Sequence, residues 1–362
     1  MNQEAKELYL KGWGKFQLED YYGAISDFND AIELDSTSAE IYIKRGLAKM
    51  QTQDSKQLYD AFGDYLNAAI LEPENAEALN GLGILQMRFN PEDPQGLSNL
   101  EKAAKIDPSK TTYWNIGMAN FNLGNYKAMH ESFDNFIVFE NPKDGLLGEA
   151  YYLKGLASFR LNDYHDAIKN FSLAIVNKAN LNYHLAFFNR AISFNYINEP
   201  EKAIQDYTAV LTILPDDIES FIKRSELYYK TKNIEGALDD LRKVLTIDQN
   251  NIVALEKIGS YLLLNERYEE AINYYSQLIH LQANHSKHYQ NRGTCYFGLR
   301  NYWAAITDYG NSIQVGNPHS SVFYYRGLCH YYLNNDQACA DWQSAFNLGF
   351  TDAKTWIDKH CN

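Results

Sequence analysis

An all-α solenoid of about ten stacked helix–turn–helix repeats is the fold class this sequence predicts, and three observations predict it. The phrase YGAISDFNDAI at Tyr22–Ile32 returns in altered form at His165, Glu201, Glu269 and Trp303. Its alanine, Ala24, has counterparts at Ala61, Gly96, Met129, Ala167, Ala203, Ala237, Ala271, Ala305 and Ala338, with a strict interval of 34 between 203 and 305. Prolines are few, 8 in 362 residues, while 45% of the chain is hydrophobic, which suits a helical chain with a sizeable core.

Side-chain size repeats with the alanine. Four residues after each counterpart stands a large group: Phe28, Tyr65, Leu100, Phe133, Phe171, Tyr207, Leu241, Tyr275, Tyr309 and Trp342. About twelve before it stands a small one: Gly12, Gly46, Gly83, Gly117, Gly155, Ala191, Ser225, Gly259, Gly293 and Gly327. Residues three, four and seven apart share one face of a helix, so small and large groups at these intervals make a groove for a second helix. A single helix pair leaves an apolar face uncovered. Stacking on the next pair completes the core, which is why the phrase must recur.

Taken in order, the repeats fall near 5–38, 39–75, 76–109, 110–143, 148–181, 184–217, 218–251, 252–285, 286–319 and 320–349. Turn signals close several of them: ELDS, LEPEN and KIDPS end the first three, TILPDD the sixth and TIDQN the seventh. Proline stops a helix there, and Asp or Asn caps the next. A last short helix over 351–362 is expected to cover the final apolar face. In the fourth repeat Met129 and Phe136 stand where small residues are usual, so its helices are expected to pack further apart. Extra residues within Glu140–Glu149, with Pro142 and Gly145, place the expected break in regularity near 140–148, as a longer loop rather than a domain boundary.

A formal charge of −13, from 33 basic and 46 acidic residues, excludes a nucleic-acid partner, which would need clustered cations to neutralise phosphates. No apolar run reaches the roughly 18 residues of a membrane-spanning helix. The opening MNQEAKELYLKGWGK has no apolar stretch of signal-peptide length, so the cytoplasm is the expected location, export requiring a leader already removed. Cys339 and Cys361 are expected near each other, one opening the last second helix and the other ending the cap. In a cytoplasmic protein they would be reduced thiols; a bond between them would favour export. Cys295 and Cys329 read as small packing residues.

No catalytic motif is present: no glycine-rich nucleotide loop, no His-Glu-x-x-His, no Gly-x-Ser-x-Gly. No catalytic residue, metal site or cofactor is therefore expected. His280, His285 and His288 in HLQANHSKH come nearest to a metal cluster, and at the end of one helix and the start of the next they read as surface residues.

This layout, small at the eighth, twentieth and twenty-seventh positions of a 34-residue unit with aromatics between, resembles the tetratricopeptide repeat (TPR) family, from about Ala5 to Gly349. The C-terminal ACADWQSAFNLGFTDAKTWIDKHCN is similar to the last repeat and capping helix of bacterial members. The resemblance implies a right-handed superhelical solenoid whose concave surface, lined by first helices, holds a peptide or amphipathic helix of a partner protein, without catalysis. An accessory subunit of an enzyme complex and a self-assembling structural protein are the alternatives.

In the family the second, fifth, ninth and twelfth positions of each first helix face the groove. Here they make an apolar wall: Tyr9, Trp13 and Phe16; Ile43, Leu47 and Met50; Ile84 and Met87; Trp114, Met118 and Phe121; Tyr152, Leu156 and Phe159; Phe188 and Ile192. Glu40, Glu77 and Glu149 would rim it and favour a basic helix. From the seventh repeat the same positions turn polar, with Glu219, Glu226, Glu256, Ser260, Gln290 and Thr294. A tightly wound superhelix would instead take the wall residues as core. Family members that grip acidic C-terminal tails add Lys and Arg around a sixth-position Asn; Asn115, Asn189 and Asn291 lack those neighbours, so no such tail is expected to bind.

Overall fold

The computed structural model describes residues 1–139, 145–179, 182–316 and 319–361, among which there are 21 α-helices and no strand. Two compact units divide the chain, Met1–Asn198 and Glu199–Asn362. The first holds α1 (Gln3–Gln17), α2 (Tyr21–Leu34), α3 (Ala39–Gln51), α4 (Ser55–Leu71), α5 (Ala76–Phe89), α6 (Pro94–Ile106), α7 (Lys110–Asn122), α8 (Tyr126–Phe139), α9 (Leu147–Arg160), α10 (Tyr164–Val176) and α11 (Tyr183–Tyr196). The second holds α12 (Pro200–Ile213), α13 (Ile218–Lys230), α14 (Ile234–Ile247), α15 (Ile252–Leu264), α16 (Tyr268–Leu281), α17 (Ser286–Gly298), α18 (Tyr302–Val315), α19 (Ser320–Tyr332), α20 (Gln337–Asn347) and α21 (Ala353–His360). Of the break expected near 140–148, residues 140–144 lie outside the described residues, and the two units meet in the chain at Asn198–Glu199.

Helix starts follow the capping chemistry. Asp20, Asp54, Asp93, Asp163, Asn233 and Asn301 each accept a hydrogen bond from a backbone N–H in the first turn of a second helix, satisfying a donor the helix cannot. Just before all of these but Asp93 the chain reverses through a residue at positive φ: Glu19, Gln53, Asn162, Lys232 and Arg300.

Within each unit the two helices of a repeat pack on each other, those of the sixth, α11 and α12, being divided between the units, and each second helix packs on the next first helix. The small-against-large pattern sets the approach. A Cβ on Gly155 would stand 2.7 Å from the Phe171 ring, and one on Gly117 would stand 2.8 Å from Phe133. Such distances forbid any side chain without a shift. The second value corrects the expectation for the fourth repeat, whose helices are as close as their neighbours. Its extra bulk goes forward instead, Phe136 packing in one cluster with Ala150 and Ala157 of α9.

At the C-terminus α21 packs on α20, and Ala353, Trp356 and Ile357 join a cluster around the buried Trp342. Cys339 and Cys361 are joined in a disulfide, with Cα atoms 5.6 Å apart, which corrects the reading of reduced thiols. Cys295 and Cys329 are buried free thiols, as packing residues should be.

Candidate protein-binding face

First helices of neighbouring repeats touch one another in the first unit, α1 with α3, α3 with α5, α5 with α7 and α9 with α11, so their facing sides form a surface of their own. The expected wall residues all lie in this unit. Trp13, Leu47, Ile84, Met118, Leu156 and Ile192, the ninth positions of the six first helices, are every one apolar and every one half-buried. Tyr9, Phe16, Met50, Trp114, Phe159 and Phe188 are half-buried as well, and Phe121 is exposed.

Four residues do not fit the wall or its rim. Ile43, Met87 and Tyr152 are 2%, 7% and 6% exposed and belong to the core, because their positions turn toward the second helices. Glu149, expected on the rim, is buried and accepts a hydrogen bond from Asn182 Nδ2 at 2.5 Å. Trp114 is partly core: its ring meets Phe133 and Phe136 edge-on at 5.5 and 5.1 Å. Trp13 stacks on Phe16 at 5.0 Å with Lys44 Nζ 5.4 Å from its ring centre.

The polar groups of the face are largely spent on one another. Tyr9 donates to Glu40 at 2.6 Å, an acceptor that together with burial pushes the phenol pKa up. Lys44 pairs with Glu77 at 2.8 Å. The three asparagines are also engaged, Asn115 donating to Asn80, Asn189 to Tyr152 and Asn291 to Tyr275, each at 3.2 Å. Burial pushes the Tyr152 phenol up to about 12, so it stays a neutral acceptor for Asn189. An acidic tail would find no free cationic fork among Asn115, Asn189 and their partners.

Two sets of residues escaped the reading of the sequence. The residue before the packing glycine and the residue before the large group form buried ion pairs: Arg45 with Asp64, Arg224 with Asp240, Arg292 with Asp308 and Arg326 with Asp341. Second, His288 is a buried residue rather than a surface one, and its imidazole lies at 4.1 Å from that of His285. Burial pushes its pKa down to about 4, so the ring is neutral at ordinary pH. Fixed spacing within the repeat could have revealed both sets.

The family model for the tetratricopeptide repeat matches residues 148–175 and 218–251. No curated protein matches the chain. Among solved structures, the C-terminal part of a TPR repeat-containing protein from Cytophaga hutchinsonii is 17% identical with a TM-score of 0.55, covering 68% of this chain and 98% of that one. A tetratricopeptide repeat protein from Parabacteroides merdae is 20% identical, TM-score 0.46, covering 70% and 99%. YrrB, a TPR protein with an unusual peptide-binding site, is 21% identical, TM-score 0.45, covering 53% and 96%. At these identities the likeness is one of fold.

Proposed function

We propose that this chain, a tetratricopeptide-repeat protein, is a non-catalytic scaffold that holds an amphipathic helix or peptide of a partner protein on the first-helix face of its N-terminal unit. The observation that carries this reading is the ninth-position stripe from Trp13 to Ile192, apolar in six consecutive repeats and half-exposed in each. In the second unit the same position holds Glu226, Ser260 and Thr294, and in the last repeat the buried Leu328, so in three of four repeats helix packing accepts a polar residue there. Trp13, Ile84, Met118 and Leu156 also pack against the core clusters beneath them, so each serves the core with one edge and offers the other; such half-exposed apolar groups on successive first helices make a site for a partner's apolar face, and Met and aromatic groups adapt to such a surface. Glu40 and Glu77 stand exposed beside it and favour a helix with basic residues at its edge. The Cys339–Cys361 bond supports a place in a thiol-oxidising compartment in preference to the cytoplasm.

Selection from a displayed library of amphipathic helical peptides, followed by affinity measurement, tests the reading. Binders should lose about 2 kcal/mol or more on Leu47→Asp with Met118→Asp, and nothing on Glu226→Ala in the second unit. Recovery of no binder, or of binders indifferent to the double substitution, would contradict it.

A further inference from the structure

We propose that Glu256, His285 and His288 form a site for one borderline divalent metal ion of the zinc class, at the junction of α15, the α16–α17 turn and α17. One ligand atom from each of the three residues lies within 4.8 Å of the others. Two imidazoles and a carboxylate are a donor set for zinc or its neighbours, whereas magnesium and calcium require oxygen alone. Three protein ligands leave a fourth position to water.

Proximity is only the first observation. The second is the burial of His288. His288 stands five residues before the packing glycine, where Glu7 stands exposed in the first repeat and Ile41, Ala78, Thr112, Ala150, Ala186, Ser220, Ala254 and Val322 stand in the others. A bulky polar ring has thus been buried, to 1% exposure, at a site built for a small or aliphatic group. Glu256 occupies a position that carries Asn80 and Gln290 as well as Tyr9, Trp114, Phe188 and Ile222 in other repeats, so a half-exposed polar group is at home there. His285 is the N-cap of α17 and, like Ser38 of α3 and Asn182 of α11, makes no side-chain capping bond, so its ring is not committed to the helix start.

The third observation is the surroundings of His288 Nε2. Gln282 Oε1 lies 3.0 Å from it and Glu256 Oε1 3.8 Å. An ion takes the place of the hydrogen now shared between that nitrogen and the oxygens, and the ring's proton moves to Nδ1, so no proton is gained or lost. His285, stacked on His288 and exposed, turns its ring to bring a nitrogen to the ion. A cavity of about 240 Å³ lined by Glu256, His288, Tyr261 and Asn291 gives the ion a route in. Lys257, which also lines it, is paired with Glu226 at 2.8 Å.

Calorimetric titration of the full chain with zinc, and separately with magnesium, tests the proposal. The expected result is one zinc bound per chain, no magnesium, and a fall in zinc affinity of about tenfold or more in both His285→Ala and Glu256→Gln. Both positions reach solvent, so circular dichroism should find the variants folded. Absence of zinc binding to the parent chain, or zinc binding of unchanged affinity in both variants, would overturn the site.

Discussion

Lys232 and Arg300, at φ of +62° and +59°, hold a left-handed backbone that costs an L-residue about 1 kcal/mol, in the turn between the helices of their repeats. The fourth repeat solves the same turn with Gly124 at +71°. Replacing Lys232 or Arg300 by Gly should therefore raise stability by about 0.5 kcal/mol after the entropy glycine brings to the unfolded chain, and Gly124→Ala should lower it by about 1 kcal/mol, both readable in denaturant midpoints. His330 acts through pH. Burial pushes its pKa below the ordinary value of about 6.5, Asp341 of α20 standing 3.8 Å away with Arg326 of the same helix as His330 holding that carboxylate. The folded state thus binds the proton less readily than the unfolded one, so the contribution is whole above about pH 6.5 and is lost as pH falls below it. A His330→Gln chain should lose less stability between pH 7 and 5 than the parent; equal losses would show the imidazole to be silent. The pair Cys339–Cys361 gives a third expectation: protein isolated with thiols blocked should carry two blocking groups, on Cys295 and Cys329, where four would mean a reduced chain.

Between elements, a half-buried arginine on a buried aspartate is the device that fixes register. Arg224 meets Asp240 of its own second helix at 2.6 Å and donates to Thr208 of α12 at 2.8 Å; Arg292 does the same with Asp308 at 2.8 Å and Ser276 of α16 at 3.0 Å. Each guanidinium therefore ties a repeat to the one before it. In the third, fourth and eighth repeats the arginine gives way to Leu82, Ile116 and Ile258, and the aspartate goes with it, to Asn99, Ser132 and Tyr274. In the fifth repeat the cation stays as Lys154 while Asn170 replaces the aspartate, and Lys154 pairs with Asp134 of the repeat before, so no charge is left alone, which would be costly. Asp308→Ala should cost about 3 kcal/mol by stranding Arg292, while Arg292→Ile with Asp308→Tyr, which copies the eighth repeat, should recover most of that loss in thermal unfolding. The helices themselves were legible in the sequence because small and large residues recur on one face, and Phe171 over Gly155 is the contact that pattern specifies. The ion pairs were equally periodic, yet their residues are charged and read as solvated surface. The wall was legible only in part. Ile43, Met87 and Tyr152 share the periodicity of Leu47 and Ile84, and whether such a residue turns outward depends on how far neighbouring repeats rotate, which spacing alone does not carry.

At the scale of the molecule the two units differ in what they offer. Met1–Asn198 presents an apolar first-helix stripe, and Glu199–Asn362 carries polar groups at the same register, the Glu256–His285–His288 group and a cap closed by a disulfide. Stacked repeats contact only their neighbours, so a long face can be given over to binding without loss of the core beneath it. The central claim is that the partner lies on the first helices of the N-terminal unit. Hydrogen exchange of the full chain with and without a selected helical peptide tests it most directly. The account predicts slowed exchange confined to α1, α3, α5, α7, α9 and α11; protection on α2, α4 and α6, or in the second unit alone, would contradict it.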